Sequence, residues 1–225
     1  MEYYVLKYST GKEIGKTYPQ TNGMSDNYNF EISDSINFLP NLETPLFIPN
    51  LNYLKVDENA KITDFISTGL INATGFIVNE KIKSLFDNYK IADHMYFPAS
   101  LYYKHKHIKA HWLHFTNDYT SLIDFNKSTF DLRSPITWDI WSTIEANIKF
   151  NTLSSLIEKH KEKEVLDQIF PEELCIKLKL EIHLLTFRYL GTRVLISETL
   201  LNQLKKEKIT GYEIAEKSIP VIFSS

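Results

Sequence analysis

The sequence predicts an α+β protein: a largely antiparallel sheet with a few packed helices. Three observations carry this. Aromatic and β-branched residues concentrate in short runs, as in Tyr3–Tyr8, Gly75–Val78, His94–Tyr103 and Ile108–Phe115. Other segments place apolar residues three and four apart, as in Ile82, Leu85, Phe86 and Tyr89, the spacing of one buried helix face. The polar Lys104-His105-Lys106-His107 separates two of the extended runs and reads as a hairpin tip. The 225 residues, 43% of them hydrophobic, suffice to bury a core without a disulfide or a metal. One α+β domain over 1–225 is expected, irregular over 1–55 and regular over 60–215.

Taken in order, Tyr3–Tyr8 is an opening strand ended by Ser9-Thr10-Gly11. Residues 11–52, with Pro19, Gly23, Pro40, Pro45 and Pro49, read as loops between short extended pieces. Lys61–Thr68 and Gly75–Val78 look extended, and Asn79 caps a helix over 79–90. Extended runs follow at 94–103, 108–115 and 122–125. Ser142–Phe170 reads as mostly helical, closed by Pro171. Leu174, Ile176, Leu178, Leu180, Ile182 and Leu184 then alternate with polar residues, which predicts one long strand with one buried face and Cys175 on the other. A helix over 197–207 completes the order. The segment from Phe76-Ile77-Val78-Asn79-Glu80 is echoed without gaps by that from Val194-Leu195-Ile196-Ser197-Glu198, a weak internal strand–helix repeat.

Charge and cysteine usage narrow the function. The formal net charge is −3, and Arg133, Arg188 and Arg193 are the only arginines. Arginine is the residue that reads phosphates and base edges, so nucleic acid is a poor partner for so arginine-poor a chain. With Cys175 as the single cysteine, no intramolecular disulfide and no cysteine-based zinc site can form. Met1–Lys7 lacks the basic start and apolar stretch of a secretory signal, and no apolar run reaches the roughly 18 residues of a membrane span. The expected location is the cytoplasm.

Motif by motif, catalytic chemistry is not expected. Thr10-Gly11-Lys12-Glu13-Ile14-Gly15-Lys16-Thr17 resembles a phosphate loop but has three residues between the glycines where four are needed, and Tyr18-Pro19 stops the helix that should follow. His105, His107 and His111 share a strand parity that could hold a metal. His105 and His107, however, fall in the hairpin tip, and His111 and His114 face opposite sides. No serine sits in a nucleophile elbow, and Cys175 has no histidine nearer in sequence than His183. No catalytic, cofactor or metal residues are therefore assigned. Trp138-Asp139-Ile140-Trp141 reads as core-capping aromatics or an aromatic contact patch.

Several runs carry a resemblance: Gly75-Phe76-Ile77-Val78-Asn79-Glu80-Lys81-Ile82-Lys83, His94-Met95-Tyr96-Phe97-Pro98, His111-Trp112-Leu113-His114 and Ile123-Asp124-Phe125-Asn126-Lys127-Ser128, then Thr186-Phe187-Arg188-Tyr189, Val194–Glu198 and Ile209-Thr210-Gly211-Tyr212. In this order they resemble an immunity-protein family of bacterial polymorphic-toxin systems, the eleventh, formerly a domain of unknown function. The resemblance covers roughly 60–215 and departs at Asn79, where Ser is the family pattern. It implies a cytoplasmic protein that binds and neutralises one cognate toxin, and it supplies no catalytic residues. The alternatives are a small-molecule enzyme of hydrolase type and a scaffold or adaptor protein; a homo-oligomer is compatible with each. Acids near Asp118, Asp124, Asp131 and Asp139 would attract a basic toxin, and Tyr103, His105 and His107 at the hairpin tip are the expected partner contacts.

Overall fold

A computed structural model describes residues 1–25, 28–137, 141–178, 181–191, 193–214 and 217–224. In chain order the described strands are β1 (Glu2–Tyr8), β2 (Thr21–Met24), β3 (Leu54–Val56), β4 (Phe65–Ile66), β5 (Gly75–Val78), β6 (His94–Tyr103), β7 (Lys106–Phe115), β8 (Thr129–Pro135), β9 (Trp141–Ile148), β10 (Gln168–Lys177), β11 (Leu184–Thr186), β12 (Val194–Ser197), β13 (Tyr212–Ile214) and β14 (Ile219–Ser224). The helices are α1 (Glu80–Phe86), α2 (Leu153–Glu162) and α3 (Glu198–Lys206). The class is α+β, with two mostly antiparallel sheets. The chain packs as two compact units, each built from separated stretches. No described helix is long and apolar enough to cross a membrane.

The first unit comprises Met1–Val5, Asp118–Thr199 and Ala215–Ser225. Its strands run in the order β11-β12-β1-β14-β10-β8-β9, and β14 lies parallel to β10. β8 and β14 flank β10 on its two edges, and Leu174, Cys175 and Ile176 are all buried. Cys175 is therefore not on a polar face; its Sγ lies 3.5 Å from Ser224 Oγ. The long strand expected over 174–184 is not continuous. β10 ends at Lys177, and Leu184 begins β11, which pairs with β12 instead. Lys179 and Leu180 lie outside the described residues. The alternation survives as burial, with Ile182 and Leu184 in the core, but the chain changes partners midway.

The helical reading of 142–170 is also corrected. Trp141–Ile148 is a strand, rich in side chains that suit a pleated surface. The helix begins only at Thr152, where Thr152 Oγ1 accepts from Ser155 N and Ser155 Oγ accepts from Thr152 N, each at 3.2 Å. Pro171 does not close a helix; it sits within β10 opposite Phe130, beside a register shift that accommodates its missing donor. Over 122–125, a 3-10 turn at Tyr119–Leu122 and a single bridge from Ile123 to Ile176 replace the expected strand.

The second unit comprises Leu6–Asn117 and Leu200–Ile214. Its sheet runs β2-β3-β6-β7-β5-β4, and Leu6–Tyr8 of β1 pairs with β13. The β6–β7 hairpin is in register from His94↔Phe115 to Tyr103↔Lys106. α1 is shorter than 79–90. Ile82 and Phe86 are buried, while Leu85 is half-buried and Tyr89 lies beyond the helix. Asn79 caps it by accepting from Ile82 N at 3.1 Å, and its amide also donates to Asp64 Oδ1 at 2.7 Å. On α3, Leu200, Leu201 and Leu204 are buried, as its spacing predicts. The echo between the two segments extends past the helices, since Ile91 and Ile209 are both core residues. Gly211 is required by its backbone: φ is +85°, and a Cβ there would lie 2.1 Å from the Phe65 carbonyl oxygen.

Candidate functional site

The hairpin tip of the second unit is built from β6 and β7. Only Lys104 and His105 separate the paired residues Tyr103 and Lys106, and their φ values of 46° and 64° are those of a two-residue type I′ turn. The three expected contact residues do not form one set. Tyr103 packs against the core, and its hydroxyl donates to the Ala60 carbonyl at 2.7 Å. It therefore holds the hairpin down. His105 and His107 are exposed and gather around Tyr102, their rings 6.4 Å and 5.5 Å from its ring. His107 Nδ1 is 3.0 Å from Ser100 Oγ, and His105 Nδ1 is 3.3 Å from Tyr102 Oη. Tyr102 and Ser100 escaped sequence reasoning, although the cross-strand partner of His107 follows from the turn length once the tip is placed.

The other histidines of β7 have separate structural duties. His111 Nε2 meets Glu80 Oε2 at 2.7 Å, joining β7 to the first turn of α1. His114 is fully buried: Trp112 Nε1 donates to its Nδ1 at 3.4 Å, and its Nε2 lies 2.9 Å from the Glu43 carbonyl. That geometry fits a neutral ring with the proton on Nε2. Burial pulls the pKa of His114 below the ordinary histidine value, against a smaller upward pull from the Glu43 carbonyl. The unfolded chain therefore takes up this proton first. The contribution to stability is complete above about pH 6.5 and is lost as the pH falls below it. Urea midpoints should drop between pH 7.5 and pH 5.5, and drop less in His114→Gln. An equal drop in both proteins would remove His114 as a cause. Among the described residues no group of three or more His, Cys, Asp or Glu side chains is placed to hold a metal.

Three of the acids expected to draw in a basic partner make contacts within the fold. Asp118 accepts from Thr120 N at 3.0 Å and from Arg188 N at 3.1 Å. Asp131 is buried, accepting from Asn147 N at 3.0 Å and from Arg133 at 3.2 Å. Asp124 faces Lys127 at 3.7 Å. Asp139, with Trp138 and Ile140, lies outside the described residues.

The first unit carries two adjoining concavities that the sequence did not announce. An apolar groove of about 440 Å³ is lined by Pro135, Ile136, Trp141, Val165 and Leu166. Ile136 is 65% exposed, Val165 91% and Leu166 68%. Large aliphatic side chains seldom stand this exposed along one groove. Along Val165 and Gln168 the groove borders a polar recess of about 250 Å³, formed by the end of α2 and the β11–β12 connection. Here His160 and Lys163 meet Asp167, Arg188, Tyr189 and Arg193. His160 stacks edge-on against Tyr189, with ring centres 5.5 Å apart. The arrangement suits binding.

Compared with known proteins, the chain matches no family model and no curated protein.

Proposed function

We propose that this chain is an immunity protein: it binds one cognate bacterial toxin in the cytoplasm and neutralises it by direct contact, without catalysing a reaction. The immunity reading rests on the ordered runs from Gly75 to Tyr212 that resemble such a family. The physical support is for a binding protein, and one observation carries it: the exposed aliphatic side chains of Ile136, Val165 and Leu166 lining a single groove. Aliphatic surface of this kind gains stability when a partner removes it from water. A scaffold or adaptor would use the same surface, and the partner's identity separates the two.

Co-expression with the product of an adjacent toxin gene, if one exists, tests the proposal. Rescue of growth and a complex stable to size-exclusion chromatography at micromolar concentration are the expected results. Growth arrest with no complex would refute it. Within a working pair, Leu166→Asp should abolish rescue by placing an unpaired charge in the apolar contact. The paired replacement His105→Ala/His107→Ala tests the hairpin tip as a second contact. Loss of rescue in that variant alone would move the interface to Tyr102, His105 and His107.

A further inference from the structure

We propose that the recess between the end of α2 and the β11–β12 connection is a binding site for a compact oxyanion, a phosphate or carboxylate group, held by Lys163, Arg188 and Arg193. This does not depend on toxin neutralisation. Arg133 is paired with Asp131 and Glu172, Lys159 with Glu145, and Lys217 with Glu172. Lys149 of the same unit also lacks an acid and donates to the Ser128 carbonyl at 3.2 Å; the recess differs in bringing several cations to one place. Arg193 has no carboxylate within ion-pair distance among the described residues, and Lys163 Nζ reaches the Glu164 carbonyl at 3.4 Å rather than an acid. Arg188 is held from behind: Asp118 fixes its backbone N–H at 3.1 Å and stands 3.8 Å from its Nε. Against these three cations stand Asp167 in the lining and Asp118 behind Arg188, so the cations still outnumber the carboxylates.

Residue type and size point the same way. The chain has three arginines, and two of them line this one recess. Arginine presents a planar set of donors that matches phosphate and carboxylate oxygens. A volume of about 250 Å³ is below the range of typical small-molecule pockets, so it suits an anionic group rather than a whole nucleotide. His160 reports the local field. Its Nδ1 is buried without a hydrogen-bond partner among the described residues. Burial, and then the charge of Lys163, hold its pKa below the usual value. A bound anion would supply the missing negative charge.

Inorganic phosphate and acetate are the probes, titrated against the full chain at constant ionic strength with sodium chloride as balance. The Gly191 amide and the His160 ring should show saturable NMR shifts, and the pKa of His160 should rise when the site is filled. Arg193→Gln should weaken binding about tenfold, the usual effect of losing one charge-assisted hydrogen bond. Lys163→Gln is a second variant from a different element, and Lys104→Gln, at the hairpin turn of the second unit, should change nothing. Tighter binding of phosphate than acetate assigns a phosphate-bearing ligand; equal or tighter binding of acetate assigns a carboxylate. Shifts that fail to saturate, that chloride reproduces, or that persist unchanged in both Arg193→Gln and Lys163→Gln would overturn the site.

Discussion

Replacing Phe65 with Ala should lower the stability of the protein by about 3–5 kcal/mol, the range for deleting a fully buried aromatic ring. Phe65 is wholly inaccessible to solvent. Its ring meets Phe76 edge-on with centres 5.5 Å apart, Phe86 at 6.1 Å and Tyr212 at 5.8 Å. These partners come from β5, α1 and β13, so no single shift can close the cavity left behind. The backbone of Phe65 also donates to the Thr210 carbonyl at 3.0 Å, which keeps the position fixed while the ring is lost. Urea denaturation measures the effect. A loss below about 1 kcal/mol would mean that this aromatic cluster is packed differently.

The second large effect belongs to α3. Leu204→Ala should cost about 2–5 kcal/mol, and Leu200→Ala a similar amount, because both side chains are fully buried and each truncation leaves a void. Gln203 and Glu207, which hydrogen-bond to each other at 3.2 Å on the exposed side of α3, are the control. Gln203→Ala should change stability by no more than about 0.5 kcal/mol. Similar losses at Leu204 and Gln203 would place the wrong face of the helix inward.

What could be read from the sequence was whatever local chemistry dictates. The β6–β7 hairpin was legible because its strands alternate strongly and its turn is short and polar. The helix face of α3 was legible from Leu200, Leu201 and Leu204, and the Asn79 cap from its side chain. The errors share one cause. Between Trp141 and Leu184, β9 and α2 carry overlapping apolar spacings, and which one prevails depends on partners far away in the chain. β10 is a strand despite Pro171 because β8 and β14 flank it. For the candidate site the contrast is sharper. Arg188 and Arg193 were singled out only as scarce arginines. Nothing in the order of residues places them beside His160 and Lys163, which arrive from a helix that ends well before β11. The exposure of Val165 and Leu166 was equally hidden, since both fall in the segment that reads as mostly helical.

The strand β1 has a consequence for how the chain is made. Residues 2–8 pair with Leu195–Ser197, Tyr212–Ile214 and Ile219–Pro220, so during synthesis this strand waits for residues 195–220 before it meets its neighbours. At about 5–20 residues per second that delay is on the order of 10–40 seconds, far longer than the microseconds in which a hairpin such as β6–β7 closes. Over that interval Tyr3, Val5 and Leu6 have no sheet to join, and an unpaired apolar strand is a template for aggregation. A chaperone that shields nascent apolar segments should therefore raise the yield of this protein more than slower expression alone. The order of assembly is inside out with respect to the order of translation.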